Sequence, residues 1–228
     1  MHSSWMRIQN VFSYFTTVLF ALGACIAVSD LLTPRAPVVN SLKFTNLQVV
    51  RGRPHYYSSK HEEYAIIKFS LDADLSSLFT WNTKDVFVYV TAEWPSSSSA
   101  SANTTTNQAV IWDTIITAPS SDYLGNYGPA TLKKLRKSAA GKSIDPSRGK
   151  LVLKNQRPKY QITHPSGKIA STEDVTLRLH YDVQPWVGVL MRNHNVDVGL
   201  WKKLEGSVSR TFTLPSLKKK DEAKKAKA

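Results

Sequence analysis

The chain has 228 residues, 42% hydrophobic and 10% aromatic, which excludes wholesale disorder and gives one ordinary domain enough apolar side chains for a core. Its formal charge of +13 is confined to two places: ten Lys and Arg residues against Asp145 between Leu132 and Tyr160, and six Lys against Asp221 and Glu222 from Lys218 to Ala228. The rest balances, and the one cysteine, Cys25, lies in an apolar run, so the folded part holds no disulfide, thiol nucleophile or thiolate metal site.

From Ile8 to Ser29 there is no Asp, Glu, Lys, Arg or His, and Arg7 and Asp30 close the run. Its centre, Val11 to Val28, is dominated by Val, Leu, Phe, Ile and Ala. About 20 apolar residues at ~1.5 Å each cover the roughly 30 Å hydrocarbon core of a bilayer. Residues 11–29 are therefore expected to form a transmembrane signal anchor behind a short segment 1–10. The rival is a cleaved secretory signal, for which Ala27 and Ser29 are suitably small. Its apolar region is usually shorter, about 7–15 residues. On either reading the remaining chain enters the secretory pathway.

Thr33 to Asn40, with two prolines, reads as a short stiff linker. Strand signals follow. Leu42 to Val50 alternates loosely. Ile67, Phe69 and Leu71 oppose Lys68, Ser70 and Asp72. Val86 to Trp94 is apolar on both faces up to Glu93, as a central strand would be. Ala109 to Thr117 is another candidate. The clearest pattern sets Val175, Leu177, Leu179, Tyr181 and Val183 against Thr176, Arg178, His180, Asp182 and Gln184, ended by Pro185. Ser207 to Leu214 closes the set. Thr131 to Ala140 is the one marginal helix, and Ser96 to Thr106 is a low-complexity loop. Many strands and few helices predict a mainly β fold: an N-terminal transmembrane helix, then an antiparallel β-sandwich-like domain over 30–217. A basic insertion at about 120–150 and a Lys-rich disordered tail at 218–228 decorate it.

Residues that would carry chemistry are missing or mis-spaced. There is no G-x-S-x-G elbow, and the six histidines are scattered. His180 lies on the polar face of its strand and reads as a surface histidine. His55 and His61 lack the i, i+4 spacing of a metal pair. Asp72 and Asp74 precede Ser76 and Ser77 without the further acids and glycine of a calcium loop, so turn chemistry is the better account. No glycine-rich phosphate cradle is present. The chain is read as having no active site, metal, cofactor or small-molecule substrate of its own. The basic segments are read as solvated loops, because no nucleic-acid-binding module accompanies them. Attraction to anionic lipid headgroups is a further reading of the same charge. Asn103-Thr104-Thr105 is the sole N-glycosylation sequon, and it lies in the low-complexity loop.

The segment Phe69 to Trp94 resembles the signature region of the signal peptidase complex subunit 3 family. The matching pieces are Ala73-Asp74-Leu75, Leu78-Phe79, Trp81-Asn82, Lys84, Phe87, Tyr89 and Ala92-Glu93. A second block supplies Asn107-Gln108, Val110 and Trp112-Asp113. A third supplies Leu177, Leu179, Val183, Pro185 and Gly188. The basic insertion and the Lys-rich tail depart from the pattern.

This resemblance implies a non-catalytic subunit of the endoplasmic reticulum signal peptidase, which removes signal peptides from nascent proteins. It implies a cytosolic N-terminus, a single span and a lumenal β domain beside the catalytic subunit, with the serine-protease chemistry on that other chain. Charge alone does not settle the orientation, since Arg7 on one side is matched by Arg35 and Lys43 on the other. The expected partners are the catalytic and other subunits and membrane lipid. Trp81 and Asn82 are the candidates for a loop that a partner reads; a core-capping aromatic is the competing account of Trp81. The alternatives are a secreted or cell-surface β-sandwich binding protein cleaved after Ser29, and a basic protein peripheral to membranes or bound to nucleic acid.

Overall fold

A computed structural model describes residues 3–96, 106–118, 133, 146–192 and 200–217. Helix α1 runs from Ser4 to Leu31, capped by Ser3, whose side chain accepts from the Met6 amide. Its 28 residues give about 42 Å of helix. The best 18-residue window has a mean hydropathy of 2.1, and none of that window is buried against the rest of the chain. Such a helix is long and apolar enough to cross a membrane. The hydroxyls of Thr16 and Thr17 donate back to the Ser13 carbonyl, so these polar groups are satisfied within the helix.

Among the described residues seven strands follow, all paired antiparallel. Strands β1 (Val38–Gly52), β2 (Glu62–Asp74) and β5 (Lys150–Gln156) form one sheet in the order β1-β2-β5. Strands β3 (Thr83–Pro95), β4 (Thr106–Thr117), β6 (Thr176–Pro185) and β7 (Met191–Arg192) form the other in the order β4-β3-β6-β7. The inward residues of both sheets belong to one core cluster. Ile67, Phe69, Leu71 and Ala73 enter it from β2; Val86, Val88, Val90, Ala92 and Trp94 from β3; Leu177, Leu179, Tyr181 and Val183 from β6. Phe69 meets Trp112 edge-on at 5.8 Å, joining β2 to β4 across the sandwich. The mainly β, antiparallel, sandwich-like fold expected from the sequence is the fold observed.

Four local departures have physical causes. The loose alternation of β1 comes from register shifts between Val39 and Ser41 and between Phe44 and Asn46, where one extra residue flips the pattern. Strand β5 begins where the basic insertion at about 120–150 is expected to end, inside the Leu132–Tyr160 basic segment expected to be solvated loop. It is an edge strand with Lys150 and Lys154 outward, and such an edge needs little apolar content. The segment from Ser207 to Leu214 is not a continuous strand. It meets β6 through an isolated bridge at Arg178–Val208 and meets Val175, just before β6, through Phe212, and the Ser209 hydroxyl takes the Leu177 amide in place of a backbone carbonyl. Thr33 to Asn40 is not a free linker: Arg35 bridges Trp201, and β1 begins at Val38.

Gly206 holds that last connection in place. Its φ is +72°, and a Cβ there would collide with the Val39 carbonyl at the start of β1. Asn103, the Thr131–Ala140 helix, almost all of the basic insertion before Pro146 and the 218–228 tail lie outside the described residues.

Candidate functional site at the helix–domain junction

The residue that closes the apolar run is Asp30, and it is buried. Its Oδ1 lies 2.7 Å from Nη2 of Arg35, with the two side chains 6% and 0% exposed. Five residues separate them, so the chain turns off the end of α1 and folds back on itself. Thr80, in the turn before β3, completes the arrangement. Its hydroxyl accepts from Arg35 Nη2 at 3.2 Å and donates to Asp30 Oδ1 at 3.3 Å. Thr83 in turn accepts from the Thr80 amide and donates to the Leu78 carbonyl.

The Arg35 guanidinium stacks over the Trp201 ring at 4.0 Å, and its backbone exchanges hydrogen bonds with Leu200 and Lys202. Burial pushes the Arg35 pKa down, and the Asp30 carboxylate opposes that shift. Arginine keeps its proton in either case, so the charge must be matched where it stands. Asp30 does so, and the helix is thereby fastened to both the β3 turn and the C-terminal segment.

Beside this knot, Asn82 is buried and committed to one loop. Its Nδ2 donates to the Val187 carbonyl at 2.8 Å, its Oδ1 accepts from the Val187 amide at 3.1 Å, and its own carbonyl accepts from the Trp186 amide at 2.8 Å. Trp81, one residue earlier, is 62% exposed. The structure therefore separates the two candidates: Trp81 presents its ring outward, whereas Asn82 shapes the chain between β6 and β7.

The outer face of the four-stranded sheet carries a polar cluster that sequence reasoning underestimated. His180 is not a freely solvated side chain. It stacks on Tyr89 at 5.0 Å, its Nε2 lies 3.1 Å from the Thr91 hydroxyl, and its side chain is mostly covered. Arg178 pairs with Glu93 at 3.2 Å, and Gln108 reaches Glu93 at 3.1 Å. Burial lowers the His180 pKa, outweighing the upward pull of Glu93. Asp74 closes a turn, accepting from the Ser76 amide and hydroxyl, which holds its carboxyl below the usual range.

Among the described residues one serine–histidine contact exists that the sequence did not signal. Ser166 Oγ lies 2.7 Å from His164 Nδ1, and Asn107 lies 3.4 Å from the other ring nitrogen. The Ser166 amide donates to the same Nδ1 at 3.1 Å, so that nitrogen is a turn cap rather than a base held for the hydroxyl. Both residues sit in one turn, closed by the Gly167 amide on the His164 carbonyl at 2.7 Å. Among the described residues no three His, Cys, Asp or Glu side chains converge as a metal set.

Comparison with known proteins follows the same outline. A family model described as signal peptidase subunit matches residues 1–127 and 144–200, and the gap falls in the basic stretch. Signal peptidase complex subunit 3 of Yarrowia lipolytica is 30% identical over 197 residues, covering 82% of this chain and 89% of the relative. The Saccharomyces cerevisiae protein of the same description is 30% identical over 207 residues, covering 86% and 93%. That of Debaryomyces hansenii is 32% identical over 209 residues, covering 87% and 92%.

Proposed function

This chain belongs to the signal peptidase subunit family, and we propose that it is a non-catalytic, structurally required subunit of the signal peptidase complex, holding the catalytic subunit in a competent position. The observation that carries this reading is the junction: a membrane-length apolar helix is fastened to a β-sandwich by the buried Asp30–Arg35 pair. A rigid link between membrane and domain is what a scaffold requires, because it fixes the height and angle at which the domain meets its neighbours. The serine-protease chemistry then belongs to another chain.

In this reading residues 11–29, from Val11 to Val28 at their apolar core, span the endoplasmic reticulum membrane. Residues 1–10 lie in the cytosol and 30–217 in the lumen, where Asn103 meets the glycosylation machinery. The 120–150 insertion and the 218–228 tail are additions to the family pattern. Trp81 is the residue offered to the catalytic subunit, on the strength of its exposure beside a turn that the junction immobilises. The secreted alternative is disfavoured because the family match begins at residue 1 and includes the whole helix.

The test is a substitution panel on the assembled complex. His164→Ala, Ser166→Ala and His180→Gln should each leave turnover of a preprotein near the unsubstituted rate, and affinity purification in detergent should recover the catalytic subunit with all three. Loss of turnover from any of them in a complex of normal composition would contradict the non-catalytic assignment.

A further inference from the structure

Beyond the spanning helix, we infer that the loop between β6 and β7, residues 186–190, enters the bilayer itself and makes a second, non-spanning contact with lipid acyl chains on the domain side. The inference rests on the proposal that α1 crosses the membrane. Its first support is depth. Val187 packs toward Gly23 of α1, with 3.9 Å from a Cβ built there to Val187 Cγ1, and a Cβ built on Gly188 would lie 3.6 Å from Ala27 Cβ. Gly23 is seven residues before Asp30, the first charge, so it lies about 10 Å down the helix. The loop thus stands beside the apolar wall of α1 at a level that the hydrocarbon must occupy if α1 spans.

The second support is surface chemistry. From Gln184 to Met191 no residue is charged. Val189 is 75% exposed, and Trp186, Val187 and Leu190 are also open to their surroundings. In water this would be an uncovered apolar tip. In lipid it is an anchor, with the Trp186 ring near the interface and the Lys84 ammonium 5.8 Å from its centre, on the headgroup side.

The third support is backbone accounting. A non-helical segment is tolerated at membrane depth only when its N–H and C=O groups are satisfied by protein. Asn82 does this for the Trp186 amide and for the amide and carbonyl of Val187, three groups matched by one buried residue. Gly188, at φ +132°, lets the chain turn where it meets Ala27. At Val187, the residue that packs toward Gly23, both backbone groups are satisfied in this way.

The experiment uses the full-length chain in phosphatidylcholine vesicles, with Cys25→Ser removing the sole cysteine. A single environment-sensitive fluorophore is placed at Val189→Cys, at Leu190→Cys, at Phe15→Cys in α1 and at Tyr56→Cys in the β1–β2 turn. Both loop positions are exposed, so the replacements leave packing intact. Probes at 189 and 190 should be quenched by lipid-borne spin labels and be several-fold less accessible to iodide than the probe at 56. Iodide reaching 189 and 190 while 15 stays shielded would overturn the loop contact alone. Iodide reaching 15 as well would overturn the spanning helix on which it rests. Shielding of 189 and 190 from both quenchers would also overturn it, because protein rather than lipid would then cover the loop.

Discussion

Asp30 Oδ1 and Arg35 Nη2 meet 2.7 Å apart in a pocket sealed from solvent, at the point where the apolar helix ends and the β domain begins. The pair converts what reads as a short stiff linker into a fixed joint. A buried ion pair is seldom a net gain over apolar packing, but removing one partner strands the other. Its value here is geometric: it locks three sequence-distant elements, α1, the Thr80 turn and Trp201, around one charge.

Asp30→Ala should therefore cost about 3–5 kcal/mol, the range for leaving a buried charge unpaired. The paired change Asp30→Leu with Arg35→Met should recover much of that loss in denaturant unfolding of the detergent-solubilised chain. If the joint is rigid because of the pair, limited proteolysis between Leu31 and Pro37 should accelerate for Asp30→Ala. Equal stability of the single and double variants would show that the charges are not coupled.

Asn82→Ala should release the 186–190 loop. Two side-chain hydrogen bonds at about 0.5–1.5 kcal/mol each set the expected loss at roughly 1–3 kcal/mol. Amide exchange at Val187 should rise well before exchange in β3. Asn82→Asp separates the two bonds, because a carboxylate still accepts from the Val187 amide but cannot donate to its carbonyl. Protection at Val187 unchanged in Asn82→Ala would mean the loop is held by other contacts.

Leu177 faces the core from β6, and Leu177→Ala should destabilise the domain by about 2–5 kcal/mol. His180, its neighbour on the other face, should cost less, yet more than a solvated side chain would, because it stacks on Tyr89 and bonds Thr91. Urea titrations of both variants provide the comparison, and equal losses would mean the faces of β6 are misassigned.

The same histidine predicts a pH dependence. Its folded-state pKa lies below the ordinary value of 6.5, because burial disfavours the imidazolium. As pH falls, the unfolded chain therefore binds the proton first. The contribution of His180 is complete above about 6.5 and is lost as pH drops through the folded value. His180→Gln should flatten that part of the stability–pH curve. Asp74, also lowered, is lost only further down, in the carboxylate range, and so should remain visible in the variant. An unaltered curve below 6.5 in His180→Gln would contradict the assignment.

The orientation is tested on sealed microsomes. The domain from Pro37 onward should resist added protease until detergent is present, and α1 should resist alkaline extraction. Asn103→Gln should abolish any shift in mobility produced by removing N-glycans. Digestion of the domain without detergent would place it in the cytosol instead.

How much of this was legible in the sequence depended on how cleanly one physical demand dominated each segment. Strand β6 was plain because core lies on one face and polar groups on the other, so period 2 shows directly. The charge-free run announced α1 because a stretch long and apolar enough to cross a membrane stands out by composition alone. Strand β5 was hidden because only Leu151 and Leu153 turn toward the core, while the exposed Val152 between them breaks the polar half of the usual pattern. The junction was hidden more deeply. Asp30 looked like the end of an apolar run, and nothing local shows that Thr80 and Trp201 will arrive to bury it. Asn82 was singled out through family resemblance, but its contact with Val187 spans 105 residues and no local period encodes it.

The central claim is that the chain is needed for signal-peptide cleavage without performing it. The most direct measurement compares purified signal peptidase complex assembled with and without this chain, assayed on one preprotein at matched amounts of the catalytic subunit, together with this chain alone. The predicted result is that cleavage falls sharply when the chain is absent, through an unstable or mispositioned catalytic subunit, and that the chain alone releases no signal peptide. Normal cleavage by a complex lacking it, or cleavage by the chain alone, would contradict the account.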